Sequence, residues 1–467
     1  MTYDEINKPL SRTSFGSKMA LAFSASTETM SINGQAEVEM LRTRFLPDEF
    51  EAFVLNSVVT KEYSDREMTK ALFIDVMNAI RAYQPPEYYE KLKTDHLKWV
   101  LPTIGAVQFE PQQYLPFKLF RHHCLFTFAN ECVDVNKEFM DMFGSGFDEY
   151  AAIAYTFHAL LSQKDYKLLS NYWDRISLIA PWFIEHLKLT REQYKNELNQ
   201  FAHSSADYKY CLRPSYSYPF IEYENAVFLP TPHLLIQSIT TAMMNRLTFG
   251  NDGLREKIGK HAFEGYLRKI ICDSCLFDEI IPEYEYVKGK KTLDILTRKG
   301  NIALLIDSKM FSPKVALRTY DERAYQKDAA RIVKEMKQAY LHAHDRFDHE
   351  YNPFSSAVEE VYALIVVYQE GYLDLGEIYR QTAQELSINE GTEEFTWLCQ
   401  HVGFTEIANI ERFLLTKTDI IPEMMDRKVI SDKWLTGWNG TEITEEANKY
   451  HDKLLSDVES LLCSLHR

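Results

Sequence analysis

Residues 291–311 read "KTLDILTRKGNIALLIDSKMF", and how this stretch folds decides the rest of the chain. Two aliphatic runs flank Lys299-Gly300, which predicts a β-hairpin with a tight turn at those two residues. That turn sets Arg298 opposite Asn301 and Asp294 opposite Leu305, with Asp307 one diagonal step away. Side chains alternate along a strand, so Asp294, Asp307 and Lys309 project from one face, and Leu293, Ile295, Leu304 and Ile306 from the other. The aliphatic face predicts a core, and the charged face a cluster.

Two carboxylates this close repel, and one lysine supplies a single compensating charge. A divalent cation resolves the conflict. Oxygen donors with open water positions suit Mg²⁺ or Mn²⁺, with Asp294 and Asp307 as ligands and the Ser308 backbone carbonyl as a further donor. Lys309 is then placed to orient a water or help deprotonate it. Upstream, Glu264 shares a helical face with Leu267 and Ile271, so it sends a carboxylate toward the packing side, where the metal cluster is a partner for it. The competing reading is a solvent-facing hairpin carrying a surface ion pair worth little.

Outward from the hairpin, the order from Leu254 is helix, strand, strand, strand, helix, strand. The helices are "LREKIGKHAFEGYLRKII" and "YQKDAARIVKEMKQAYLHAHDRF". The other strands are "EIIPEYEYV" and "VYALIVVYQ", and a further strand is expected at "IANIERFLLT". This predicts an α/β unit of modest size within a chain that is α+β as a whole. Residues 1–250 read as a mostly helical N-terminal domain for recognition, regulation or assembly. "FDEYAAIAYTFHALLS" is a core helix, "YPFIEYENAVFLP" a strand pair turning at Glu224-Asn225, and Gly250 with "NDG" a boundary. The α/β domain spans 251–420. Residues 421–467 form a C-terminal helical extension whose Tyr450, Leu454, Leu455, Val458, Leu461, Leu462 and Leu465 share one face.

Glu264 in "FEGYL", Asp294 in "TLDIL" and Asp307-Ser308-Lys309 in "LIDSK" resemble the PD-(D/E)xK nuclease superfamily, over residues 254–369. The resemblance implies a restriction endonuclease-like core, a mixed central sheet flanked by helices. It also implies that Asp294 and Asp307 bind the catalytic metal, Lys309 assists the attacking water, and Glu264 supports the metal from its helix. Leu293 stands where the family often has proline. Gln338, the position of a DNA-contacting glutamine in one branch, is followed four residues on by His342 rather than tyrosine.

Composition sets the outer limits. The chain has 467 residues, 45% of them hydrophobic, and a net charge of -16, which excludes a globally basic nucleic-acid coat. A local basic approach remains: Lys288, Lys290, Lys291, Arg298 and Lys299 flank Asp294, while Lys314, Arg318, Arg323, Lys327, Arg331, Lys334 and Lys337 follow Asp307. Of these, Lys291 and Lys314 are the substrate-binding candidates beside Gln338. The competing reading takes these basic residues as solvated helix charges interleaved with Asp321, Glu322, Asp328 and Glu335. The apolar runs are too short to span a bilayer, and the start "MTYDEINKPLSR" lacks a signal-peptide pattern, so a cytoplasmic protein without membrane contact is expected. Cys272 and Cys275 read as small buried residues near a helix end. The group "LHAHDRFDHE" reads as a solvated helix terminus, and "RHHC" at Arg121–Cys124 matches no defined metal site. No Ser/His/Asp order is apparent.

The function these residues predict is a Mg²⁺-dependent (or Mn²⁺-dependent) nuclease acting on DNA, with bacterial restriction or anti-phage defence suggested by analogy. A homo-oligomer or a defence-system partner protein is left open. The alternative is a catalytically inactive nuclease-fold protein that binds nucleic acid or serves as a scaffold.

Overall fold

The computed structural model describes residues 2–28, 30, 45–84, 86–95, 98–102, 105, 113–200, 202, 207–209, 213–314, 317, 319–425 and 443–464. Arg318 and Leu465 lie outside the described residues. The hairpin of the opening stretch is present, as β7 (Ile295–Lys299) and β8 (Ile302–Lys309). Its turn, however, is Gly300-Asn301: Lys299 pairs with Ile302 and Ile295 with Ile306, two residues out of step with the expected register. Gly300 sits at φ +60°, and glycine adopts that left-handed backbone without strain, which draws the turn onto it. A slip of two residues preserves the alternation within β8, so Asp307 and Lys309 share a side, while Asp294 lies just before β7, outside the paired strand.

Five strands make the main sheet, in the order β10 (Val402–Glu406), β9 (Glu360–Val367), β8, β7, β4 (Glu279–Pro282). The β4–β7 and β7–β8 pairs are antiparallel, while β8–β9 and β9–β10 are parallel, so the sheet is mixed. A parallel pair needs a long crossover. Between β8 and β9 that crossover includes helix α4 (Glu322–Tyr340), whose Asp321 side chain caps its first turn by accepting from the Ala324 amide at 2.8 Å.

The segment "EIIPEYEYV" is not one strand. Pro282 ends β4, and Glu285–Val287 (β5) leaves to pair with Lys290–Lys291 (β6). The strand expected at "IANIERFLLT" is helix α5 (Ile407–Leu414), and the strand is β10 just before it. Ile407, Ile410, Phe413 and Leu414 are buried at helical spacing, a period the aliphatic content obscured.

The sheet is covered on both faces. Leu304, Ile306, Leu364 and Val366 pack toward helix α3 (Glu264–Ser274), and Leu305, Ala303, Ala363 and Ile365 pack toward α4. The expected division into an aliphatic face and a charged face is therefore corrected. Asp307 and Lys309 stand at one end of the strand side that carries Ala303 and Leu305, and Leu293 packs with that α4 side rather than with Ile295.

In the N-terminal half, helix α2 (Phe147–Ser162) forms as expected, as do β2 (Phe220–Tyr223) and β3 (Ala226–Phe228). Glu224 and Asn225 both have positive φ, the geometry a two-residue hairpin turn requires. A third strand, β1 (Lys188–Thr190), pairs parallel to β2. One apolar cluster joins Phe126, Phe157 and Met243 to Phe263, Ile306 and Val366, so packing runs continuously past Gly250. Helix α6 (Glu445–Ser464) seals it with Ala447, Tyr450 and Leu454, and Val458 is also buried, whereas Leu455 stays exposed. Helix α1 (Leu115–Phe126) joins α5 through a buried ion pair, Arg121 Nη1 to Glu411 Oε2 at 2.9 Å. Among the described residues no helix is long and apolar enough to cross a membrane.

Candidate functional site

β8 stays paired to β9 through Lys309, but its pairing with β7 stops at Ile295–Ile306. Beyond that point β7's chain peels away, and Asp294 turns its carboxylate back onto β8. Asp294 Oδ2 accepts from the Ser308 amide at 2.8 Å and from Ser308 Oγ at 2.7 Å. Two residues apart on the same strand side, Asp307 Oδ2 and Lys309 Nζ form an ion pair at 2.8 Å. Lys309 also reaches Glu335 Oε2 on α4 at 3.5 Å. Asp294 and Asp307 are buried, at 9% and 5% exposure, which separates them from ordinary surface charges. The solvent-facing hairpin reading fails on that burial.

The electrostatics follow. Burial, then the neighbouring Asp294, push the Asp307 carboxyl up to about 7 against the pull of Lys309. Burial opposes charge on Lys309 too, yet Asp307 and Glu335 hold it raised above the usual lysine range, so it is a committed cation. Burial and then Asp294 raise Glu264 as well.

Glu264 opens α3 directly after a π-helical turn, Ile258–Phe263. It pairs with Lys260 at 3.6 Å, and Lys260 in turn meets Glu283 at 3.0 Å. A cavity of about 530 Å³ takes in Glu264, Asp294, Asp307, Ser308, Lys309 and Gln338, together with Arg255, Lys260, Glu283, Arg331, Glu335 and His342. Among the described residues no group of three or more His, Cys, Asp or Glu is gathered closely enough to hold a metal ion. Glu264 thus shares the cavity with the two aspartates without completing a ligand trio.

The remaining predicted residues divide. Gln338 is exposed at the cavity rim. Lys291 is exposed outside the lining and pairs with Glu283 at 2.8 Å. Lys314 also lies outside it, and its backbone amide donates to Asp328 Oδ2 at 2.7 Å. Much of the expected basic approach is tied up: Arg298 with Glu279 at 2.6 Å, Lys299 with Asp419 at 2.7 Å, Lys290 with Glu350 at 3.1 Å. Asp328, one of the acids interleaved with the basic residues, is fully buried and holds the loop after β8.

Two cavity residues, Glu335 and Arg255, escaped the sequence reading as site residues, and a third, Arg331, entered it only within the basic approach. A signal existed for two of them, since Arg331, Glu335, Gln338 and His342 fall at i, i+4, i+7 and i+11, one helical stripe facing the end of β8. His342 itself is buried, not solvated. Its Nδ1 lies 2.9 Å from Tyr351 Oη, and burial, then Arg346, push it down to about 4, leaving it neutral. Cys272 and Cys275 do lie at a helix end but are exposed, and Cys275 has φ +54°. In "RHHC", Arg121 and His122 are core hydrogen-bonding groups, with His122 Nε2 2.8 Å from Tyr368 Oη. A Ser26–His233–Glu51 chain, at 2.6 and 3.1 Å, does exist. Its serine is fully buried, so it reads as a core network.

Compared with protein-family models, curated proteins and solved structures, the chain matches none.

Proposed function

We propose that this chain is a metal-dependent nuclease that hydrolyses phosphodiester bonds, with DNA as substrate, and that Asp294, Asp307, Lys309 and Glu264 play the roles the PD-(D/E)xK resemblance implies. The observation that carries the proposal is the meeting of Asp294, Asp307 and Lys309 in one cavity, where β7 leaves β8. The donor chemistry fits a hard divalent cation: two buried carboxylates, one of them raised by burial and then by the other. Asp294 and Asp307 would hold Mg²⁺ or Mn²⁺, with the Ser308 carbonyl and Glu264 as further oxygen donors. Such an ion supplies Lewis-acid polarisation of the phosphoryl group and a more acidic water.

The chain's own groups do the rest. Ser308 fixes Asp294 through two hydrogen bonds, which sets the carboxylate's orientation before substrate arrives. Lys309, firmly protonated, serves as a donor that orients the attacking water and offsets charge growing on the phosphoryl oxygens, not as a base. Glu264 lines the same cavity, where its carboxylate would support the ion from its helix. A role in restriction or anti-phage defence, inside the cytoplasm, rests on architectural analogy alone.

One observation favours the second reading, an inactive nuclease-fold scaffold. Asp294 is satisfied by Ser308, and Lys309 by Asp307 and Glu335, so the set closes on itself without a ligand. Incubating the protein with plasmid, single-stranded DNA and RNA in Mg²⁺, Mn²⁺ or EDTA separates the two. The nuclease reading expects metal-dependent cutting that Asp307→Ala and Lys309→Ala each reduce by about 100-fold or more. No cutting in any metal leaves the scaffold; equal cutting by the variants removes this site.

A further inference from the structure

The short helix Asp252–Lys257 runs into the π-helical turn beside the end of β8 and brings Arg255 to the cavity. Arg255 Nε donates to the Met310 carbonyl at 3.2 Å, which anchors the guanidinium one residue past Lys309. Arg331 arrives from α4, which packs on the opposite face of the sheet. Its guanidinium lies 4.7 Å from the Phe311 ring centroid, and its Nη1 lies 3.6 Å from Asp328 Oδ1. Both contacts hold the planar group in place, because Phe311 and Asp328 are themselves buried.

The two guanidinium groups repel one another. After burial, Arg331 is the main influence lowering the proton affinity of Arg255. Among the described residues Arg255 has no carboxylate within ion-pair distance, although Asp252 and Glu256 line the same cavity and Glu335 is engaged by Lys309. A half-buried cation beside a second cation costs free energy unless an anion joins them. The planar, five-donor fork of arginine matches phosphate oxygens bidentately, whereas a lone structural arginine needs no second one beside it.

We propose that Arg255 and Arg331 form a phosphate-binding subsite, distinct from the Asp294–Asp307–Lys309 cluster but in the same cavity. The phosphate is one carried by the nucleic-acid substrate, and in naming that carrier the proposal rests on the nuclease reading. Occupancy would give Arg255 the anion it lacks, add a second anionic partner to Arg331 beside Asp328, and seat the backbone against the end of β8.

The test measures binding without cleavage. Fluorescence anisotropy of labelled duplex DNA, 5′-phosphorylated and 5′-hydroxyl, is followed in EDTA across about 50–200 mM salt. Arg255→Gln and Arg331→Gln are each expected to weaken binding about 10-fold and to lower the salt slope by about 1. Arg331→Gln leaves the Met310 anchor untouched, so it decides the matter even where Arg255→Gln disturbs folding. Equal losses on both duplexes support the subsite and assign it an internal phosphodiester; a loss confined to the phosphorylated duplex supports it and assigns a terminal phosphate. Wild-type affinity and salt slope in folded Arg331→Gln overturn it. A binding loss in a protein that cuts nothing in Mg²⁺ or Mn²⁺ supports the subsite while removing the nuclease reading.

Discussion

Asp307 is a carboxylate at 5% exposure, raised to about 7 with one lysine to answer it. The sign of its pH effect follows. The metal-free folded chain keeps a proton that the unfolded chain has lost between about pH 4 and the raised value, so stability falls as pH rises through that window. In EDTA at pH 8, Asp307→Asn should therefore be more stable than wild type by about 1–3 kcal/mol, with the gap closing toward pH 4. Mg²⁺ should invert the order at pH 8, raising the wild-type Tm and leaving the variant unmoved. Thermal melts in EDTA and in Mg²⁺ check both halves; a variant less stable than wild type at pH 8 in EDTA would show that Asp307 is comfortably ionised. The two aspartates and the lysine were legible in the sequence because period-two alternation is local. Glu335 was not, because its partnership with Lys309 depends on where α4 lies against the sheet.

At the level of elements, the turn fell one residue late and the pairing register shifted by two, an even slip that leaves parity unchanged, so Asp307 and Lys309 kept their side of β8. The π-helical turn before α3 is equally consequential. A Cβ on Gly259 would stand 2.9 Å from the Cβ of Met310, so only glycine lets this helix approach the end of β8 so closely. Gly259→Ala should cost about 1–3 kcal/mol in stability and push Met310, with its neighbour Lys309 and the Arg255 anchor, out of place. Urea unfolding and the cleavage assay read the two effects together; a wild-type midpoint with wild-type cutting would mean the approach is looser than the geometry says. The same packing explains why "IANIERFLLT" became a helix. Its apolar residues fall at helical spacing and pack as α5 into the α3-side core, a placement that aliphatic content alone did not reveal.

At the scale of the whole molecule, the helical half and the sheet share one apolar cluster, and the Arg121–Glu411 pair spans them with Tyr266 Oη donating to Glu411 Oε1 at 2.8 Å. Burial raises Glu411 even beside its arginine, so the pair is held by packing as much as by charge. Arg121→Met, which strands that carboxylate, should destabilise by about 3–5 kcal/mol and lower the urea midpoint at unchanged slope. A shift below about 1 kcal/mol would show that solvent reaches the pair. The helix and strand order around the hairpin, and the shared side of Asp307 and Lys309 on β8, were already set by local sequence. Those follow from backbone periods of 3.6 and 2.0, which act over a few residues. Only the tertiary structure decided that the sheet is buried on both faces, that Gly250 does not end a core, and that Glu335, Arg331 and Arg255 join the cavity. Burial and charge pairing depend on distances between segments far apart in the chain, and no local period encodes those distances.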